Sequence, residues 1–134
     1  MEWKLEVVVL PVSDIDRAKR FYTEQVGFNC DVDSVQAPNF RVVQLTPPGS
    51  ACSVAMLSGS FQEMAPGSLK GVQLVVADVA KAREYLANNG VEVSPVRHVD
   101  NGEWLDGHGG PWNAFIFFSD PDGNTWAVQE KPAS

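Results

Sequence analysis

Apolar positions along the chain fall into short blocks whose spacing alternates between strand-like and helix-like. Residues 5–12 are rich in Val and Leu and close around Pro11, the pattern of a buried strand that feeds a turn. Ser13 or Asp14 can cap the helix that follows. Ile15, Ala18, Phe21, Tyr22 and Val26 recur at helical spacing, Arg17, Lys19 and Arg20 are left for solvent, and Gly27 supplies a stop. Extended segments are predicted at 28–34, 40–45 and 51–57. They are separated by Ala37-Pro38-Asn39 and Pro47-Pro48-Gly49-Ser50, both strong turn signals. The order is β-α-β-β-β.

From Gly71 the pattern repeats. With Asp78 set against Asp14, Val72, Leu74 and Val76 fall on Val8, Leu10 and Val12, Ala82 meets Ala18, and Tyr85 meets Phe21. Gly90 stops the second helix as Gly27 stops the first. Residues 113–118 then lie over 39–44, and Pro121-Asp122-Gly123 lies over Pro47-Pro48-Gly49. An ordered repeat of this kind points to duplication: a single domain over 1–134, made of a first module (about 4–57), a linker (58–70) and a second module (71–131). The least symmetric stretch is 98–112, where the first half has only a short turn. It carries Glu103, Trp104, Asp106, His108 and Trp112 and is predicted to be a long, functional loop.

Composition narrows the chemistry. A formal charge of −7, from 10 Lys plus Arg against 17 Asp plus Glu, argues against nucleic acid and membrane surfaces as partners. Cys30 and Cys52 are the two cysteines, too few for a disulfide framework, and are expected as free thiols in a reducing compartment. The N-terminal apolar run is too short for a signal-peptide core or a membrane span, so a cytoplasmic location is expected. Histidine is scarce, with His98 and His108 alone.

Two tandem β-α-β-β-β modules, the segment Leu10-Pro11-Val12-Ser13-Asp14-Ile15-Asp16-Arg17-Ala18-Lys19-Arg20-Phe21-Tyr22 with Gly27-Phe28, and the turn Phe118-Ser119-Asp120-Pro121-Asp122-Gly123-Asn124 together resemble the glyoxalase/bleomycin resistance protein/dioxygenase group, or vicinal oxygen chelate superfamily. The resemblance covers nearly the whole chain. It implies an α+β fold in which two curved sheets form a shared cup. It also implies metal-ligand places at Val7, Ser53, Gly71 and Ala127. A methyl-bearing pair, a hydroxyl and a glycine do not supply the three or four N, O or S donors that a transition metal needs. No metal or cofactor is therefore expected, and Glu130, on the opposite strand face from Ala127, is expected as a solvated strand-end acid.

The cup implied by the resemblance is lined by Val7, Val9, Ser53, Ala55, Gln73, Val75, Ala127 and Gln129. Arg41 and Val43, or their neighbours, adjoin them, with Phe115 and Phe117, or Ile116 and Phe118 if the alternation shifts. Such a surface suits a flat or amphipathic molecule. The expected ligand-binding residues are Arg41, Ser53, Gln73, His98, Trp104, Trp112, Phe117 and Gln129. Residues 98–112 form either a lid or a loop whose tryptophans seal the core edge. The leading expectation is metal-independent binding of a hydrophobic or aromatic small molecule by a homodimer, as in bleomycin resistance proteins. The alternative is a lyase, isomerase or cyclase in which His108 or His98 is the general base or acid, with Glu103 or Asp106 as the second carboxylate. A third is an interaction module without a small ligand.

Overall fold

The computed structural model describes residues 1–58 and 63–133, so part of the 58–70 linker lies outside the described residues. The chain forms two compact units. One comprises Met1–Leu69 with Asp120–Asn124, the other Lys70–Ser119 with Thr125–Ser134.

In the first unit, β1 (Val7–Val9), α1 (Ile15–Arg20), a π-helical continuation (Phe21–Val26), β2 (Asn29–Ala37), β3 (Phe40–Thr46) and β4 (Ser53–Leu57) follow in chain order. The sheet order is β1-β4-β3-β2, with β1 parallel to β4 and the other pairs antiparallel. Strand β1 is shorter than the apolar run 5–12. Leu10 N still donates to Ala55 O, but Pro11 has no N–H with which to continue the ladder. Asp14 caps α1 by accepting from Arg17 N at 3.0 Å. The helical path ends at Gly27, whose φ of 93° favours glycine. Leu10, Ala18, Tyr22, Val43, Leu45 and Met56 are fully buried and form the core, and Tyr22 stacks on Phe28 at 5.6 Å.

The turn 120–124 completes this core rather than the sheet it interrupts in sequence. Asp120 is buried and accepts from the Tyr22 hydroxyl (2.7 Å), the backbone N–H groups of Asp122 (3.0 Å) and Asn124 (2.9 Å), and Asn124 Nδ2 (2.8 Å). Asn124, also buried, donates to Pro11 O and accepts from Leu69 N. Ser13 Oγ donates to Asp122 at 2.5 Å. A side chain at Gly67 would put its Cβ 2.0 Å from the Asp122 carbonyl oxygen, so the chain passes there only as glycine. The two most distinctive sequence motifs are thus two halves of one clasp.

The second unit contains β5 (Val72–Val76), α2 (Val79–Asn88), β6 (Arg97–Asp100), β7 (Glu103–Asp106), β8 (Phe115–Ser119) and β9 (Thr125–Glu130). Its sheet order is β5-β9-β8-β6-β7, with β5 parallel to β9. Asp78 caps α2 through Lys81 N, the counterpart of Asp14. Val79, Leu86, Ile116, Phe118, Trp126 and Val128 are buried between sheet and helix. Each sheet therefore repeats the plan of the other, and the fold is α+β.

The expected long loop at 98–112 is corrected by the structure. Strands β6 and β7 pair as an antiparallel hairpin whose turn residues Asn101 and Gly102 have φ of 53° and 80°. Asn-Gly is a favoured two-residue hairpin turn, and this signal overrides the loop reading. Residues 107–113 are also tied down. Gly107 N donates to Val96 O and Gly109 N to Asn113 O, His98 Nδ1 donates to Gly107 O at 2.8 Å, and the Asn113 amide bonds both N and O of Val99.

Candidate functional site

Alternation on the second sheet separates its side chains into two sets. Ile116, Phe118, Trp126 and Val128 point to the core, and on the same face Glu130 accepts from Val79 N at 2.9 Å. Glu130 is thus a cap on the first turn of α2 and not a solvated strand-end acid. The other face carries Gln73, Val75, Phe115, Phe117, Ala127 and Gln129. Cross-strand register arranges these in two rows: Gln73–Ala127–Phe117 and Val75–Gln129–Phe115.

The aromatic end of this face is organised by Trp104. Its indole lies edge-on to Phe115 (5.2 Å) and Phe117 (5.1 Å), while the two phenyl rings are stacked with respect to each other. Edge-to-face geometry is the favourable arrangement for such rings. Trp104 is 49% exposed and Val75 56%, so apolar surface is presented rather than consumed in the core. The opposite end is polar. Gln73 Nε2 donates to Gln129 Oε1 at 2.7 Å, and Gln129 Nε2 donates to the Trp112 carbonyl oxygen at 2.8 Å. Trp112 has φ of 63°, a left-handed conformation that costs a non-glycine residue about 1–2 kcal/mol. Ala127 lies between the two ends and leaves a step in the row.

The remaining expected site residues stand on other elements or faces of their own units. Arg41 is not beside Ser53. The residues sharing that face of the first sheet are its neighbours Val42 and Gln44, and Arg41 points to the helix side. There it makes a fork to Asp33 (2.9 Å from each of Nε and Nη2) and reaches Asp16 at 2.8 Å. Lys19 also donates to Asp33. Arg41 first and Lys19 second hold the Asp33 carboxyl well below the usual carboxylate range. In return Asp33, then Asp16, raises Arg41, and Asp33 raises Lys19. These charges satisfy one another at the surface.

Ser53 is buried and its Oγ is 2.6 Å from Thr46 Oγ1, which in turn donates to Asp31. His98 and Glu103 are on the opposite face of the β6–β7 hairpin from Trp104. His108 Nε2 lies 3.6 Å from Glu130, and Glu103 stands at the start of β7. The positions where a metal was implied do not fit one. Val7 and Ser53 are register partners, the Ser53 hydroxyl is engaged, and Gly71 and Ala127 offer no donor. Among the described residues, no group of three His, Cys, Asp or Glu side chains is placed to hold a metal. No described helix is long and apolar enough to cross a membrane.

Sequence alternation had picked out Gln73, Val75, Ala127, Gln129 and Phe117. It missed the Trp112 carbonyl as the end of an amide chain, and Asn113 as the brace of that segment. An Asn following a Trp in a Gly- and Pro-rich run carries no periodic signal.

Comparisons with known proteins agree with this architecture. The family model described as Glyoxalase/Bleomycin resistance protein/Dioxygenase superfamily matches residues 4–128. The uncharacterized protein YetH of Bacillus subtilis (strain 168) is 28% identical over 132 residues, covering 95% of this chain and 98% of that one. Among solved structures, TnmS3, an antibiotic binding protein from Streptomyces sp. CB03234, is 30% identical with a TM-score of 0.76, covering 98% of each chain. A glyoxalase/bleomycin resistance protein/dioxygenase superfamily member from Sphaerobacter thermophilus DSM 20745 is 30% identical with a TM-score of 0.79, covering 97% of this chain and 98% of that one.

Proposed function

Because the chain belongs to the glyoxalase/bleomycin resistance protein/dioxygenase superfamily, we propose that it binds an aromatic small molecule without a metal, on the face of the second sheet that carries Trp104, Phe115 and Phe117. The observation that carries this reading is the exposed indole held edge-on to two phenyl rings beside a hydrogen-bonded pair of glutamines. Aromatic walls with a few placed polar groups are how proteins grip flat ligands. The antibiotic-binding role of TnmS3, whose structure resembles this chain along its length, supports a small molecule as the ligand. The reading includes a homodimer working in the cytoplasm, with a net charge of −7 that favours neutral or cationic compounds.

Trp104→Ala is expected to weaken binding of a bicyclic aromatic probe by about tenfold to a hundredfold, on the scale of one well-packed aromatic contact. Fluorescence titration of both proteins, with circular dichroism to check the fold, makes the comparison. Affinity unchanged in the variant contradicts the assignment. Chromatography of the probe after incubation separates holding from turnover. An altered probe favours the proton-transfer alternative, for which the specific feature is the approach of His108 to Glu130.

A further inference from the structure

The direction of the glutamine pair follows from a backbone group. The Trp112 carbonyl can only accept, so Gln129 must turn its Nε2 toward it. That choice leaves Gln129 Oε1 facing Gln73, and Gln73 must answer with its own Nε2. The chain of amides therefore has one polarity. It ends with Gln73 Oε1, an acceptor for which no described residue supplies a donor.

The position of this oxygen matters. Gln73, Ala127 and Phe117 form one cross-strand row, and two inter-strand spacings place the ends of that row about 10 Å apart. The Ala127 methyl is too short to fill the interval. A planar bicyclic ring laid over it has Phe117 and Trp104 at one end and the Gln73 amide at the other. Gln73 is exposed, so its oxygen is open to water or to a bound molecule.

We infer that the molecule held on this face carries an N–H or O–H donor at its edge, accepted by Gln73 Oε1, and that the site discriminates against ring compounds offering only acceptors or negative charge there. The inference rests on the proposed aromatic site and adds the polarity of the ligand's edge. A group that can only accept, placed against Oε1, loses its hydrogen bond to water without replacement. A donor recovers that bond, and the hydrogen bond from Gln73 Nε2 to Gln129 favours the amide orientation that leaves the oxygen free to accept.

The test uses the full chain and a matched pair of probes, 1-naphthol and 1-methoxynaphthalene, which share the ring but differ in whether the oxygen can donate. Titration calorimetry is expected to show 1-naphthol binding about tenfold more tightly. In Gln73→Met, which keeps side-chain length but removes the acceptor, the two affinities should converge by loss of 1-naphthol binding alone. Equal affinities in the unmodified protein, or a preference that survives Gln73→Met, overturn the inference and leave the aromatic site standing. Binding of neither probe overturns both. The side-chain amide protons of Gln73 and Gln129 give an independent check: the amide of Gln129 should exchange with solvent more slowly than an unbonded glutamine amide. Equally fast exchange contradicts the fixed polarity.

Discussion

Asp120→Ala is expected to lower the free energy of unfolding by about 3–5 kcal/mol, a loss set by buried donors left without acceptors. The Asp120 carboxyl oxygens accept from the Tyr22 hydroxyl, two backbone N–H groups and the Asn124 amide. Tyr22 and Asn124 are both 0% exposed, so water cannot replace the lost acceptor without opening the core of the first unit. Asp120→Asn preserves the volume but substitutes an NH₂ group for one oxygen, which sets donor against donor at Asn124 Nδ2 if it replaces Oδ2, or at the backbone N–H groups of Asp122 and Asn124 if it replaces Oδ1. It should therefore recover only part of the loss. Urea unfolding monitored by tryptophan fluorescence measures both. A change below about 1 kcal/mol for the alanine variant would show that the clasp contributes little.

Ala127→Leu tests the other end of the account and is expected to reduce binding of 1-naphthol at least a hundredfold while leaving the fold intact. Ala127 is register partner to both Gln73 and Phe117, and its half-buried methyl forms the floor of the step. Leucine is compatible with a strand and points into the same space, so the ring it displaces loses contact with the sheet and with Gln73 together. Because the neighbouring core positions Trp126 and Val128 face the other way, the unfolding midpoint should stay near that of the unmodified chain. Affinity within about threefold of the original, in a folded variant, would place the ligand elsewhere.

Much of this arrangement is legible in the sequence. Asp14 and Asp78 announce the two helix starts because a carboxyl group at that position satisfies an orphan N–H. The alternating apolar and polar residues of β8 and β9 separate core from face because successive strand residues point to opposite sides. What escaped the sequence reading depends on tertiary placement. Arg41 is two residues from Val43 and shares its side of the strand, and that side meets Asp16 of α1. Which of the two sheet faces receives the helix is not written in the alternation itself. The family motif at 118–124 was visible, but its work as a clasp on Tyr22 and Pro11 depends on contacts about a hundred residues apart in sequence. Residues 98–112 read as a loop by their length, but the Asn101-Gly102 turn closes them into a hairpin that puts Trp104 against Phe115 and Phe117. The approach of Glu130 to His108 at 3.6 Å likewise depends on tertiary placement and has no signal in the spacing of the sequence.

The central claim is that an aromatic ligand rests on one face of the second sheet, and NMR mapping of bound 1-naphthol tests it most directly. With the full chain isotopically labelled, ring-current shifts should be largest at the Ala127 methyl, the Trp104 indole, and the side-chain amides of Gln73 and Gln129. Shifts centred instead on Ser53 and Ala55 of the first unit, or on the charged group around Arg41, would contradict it.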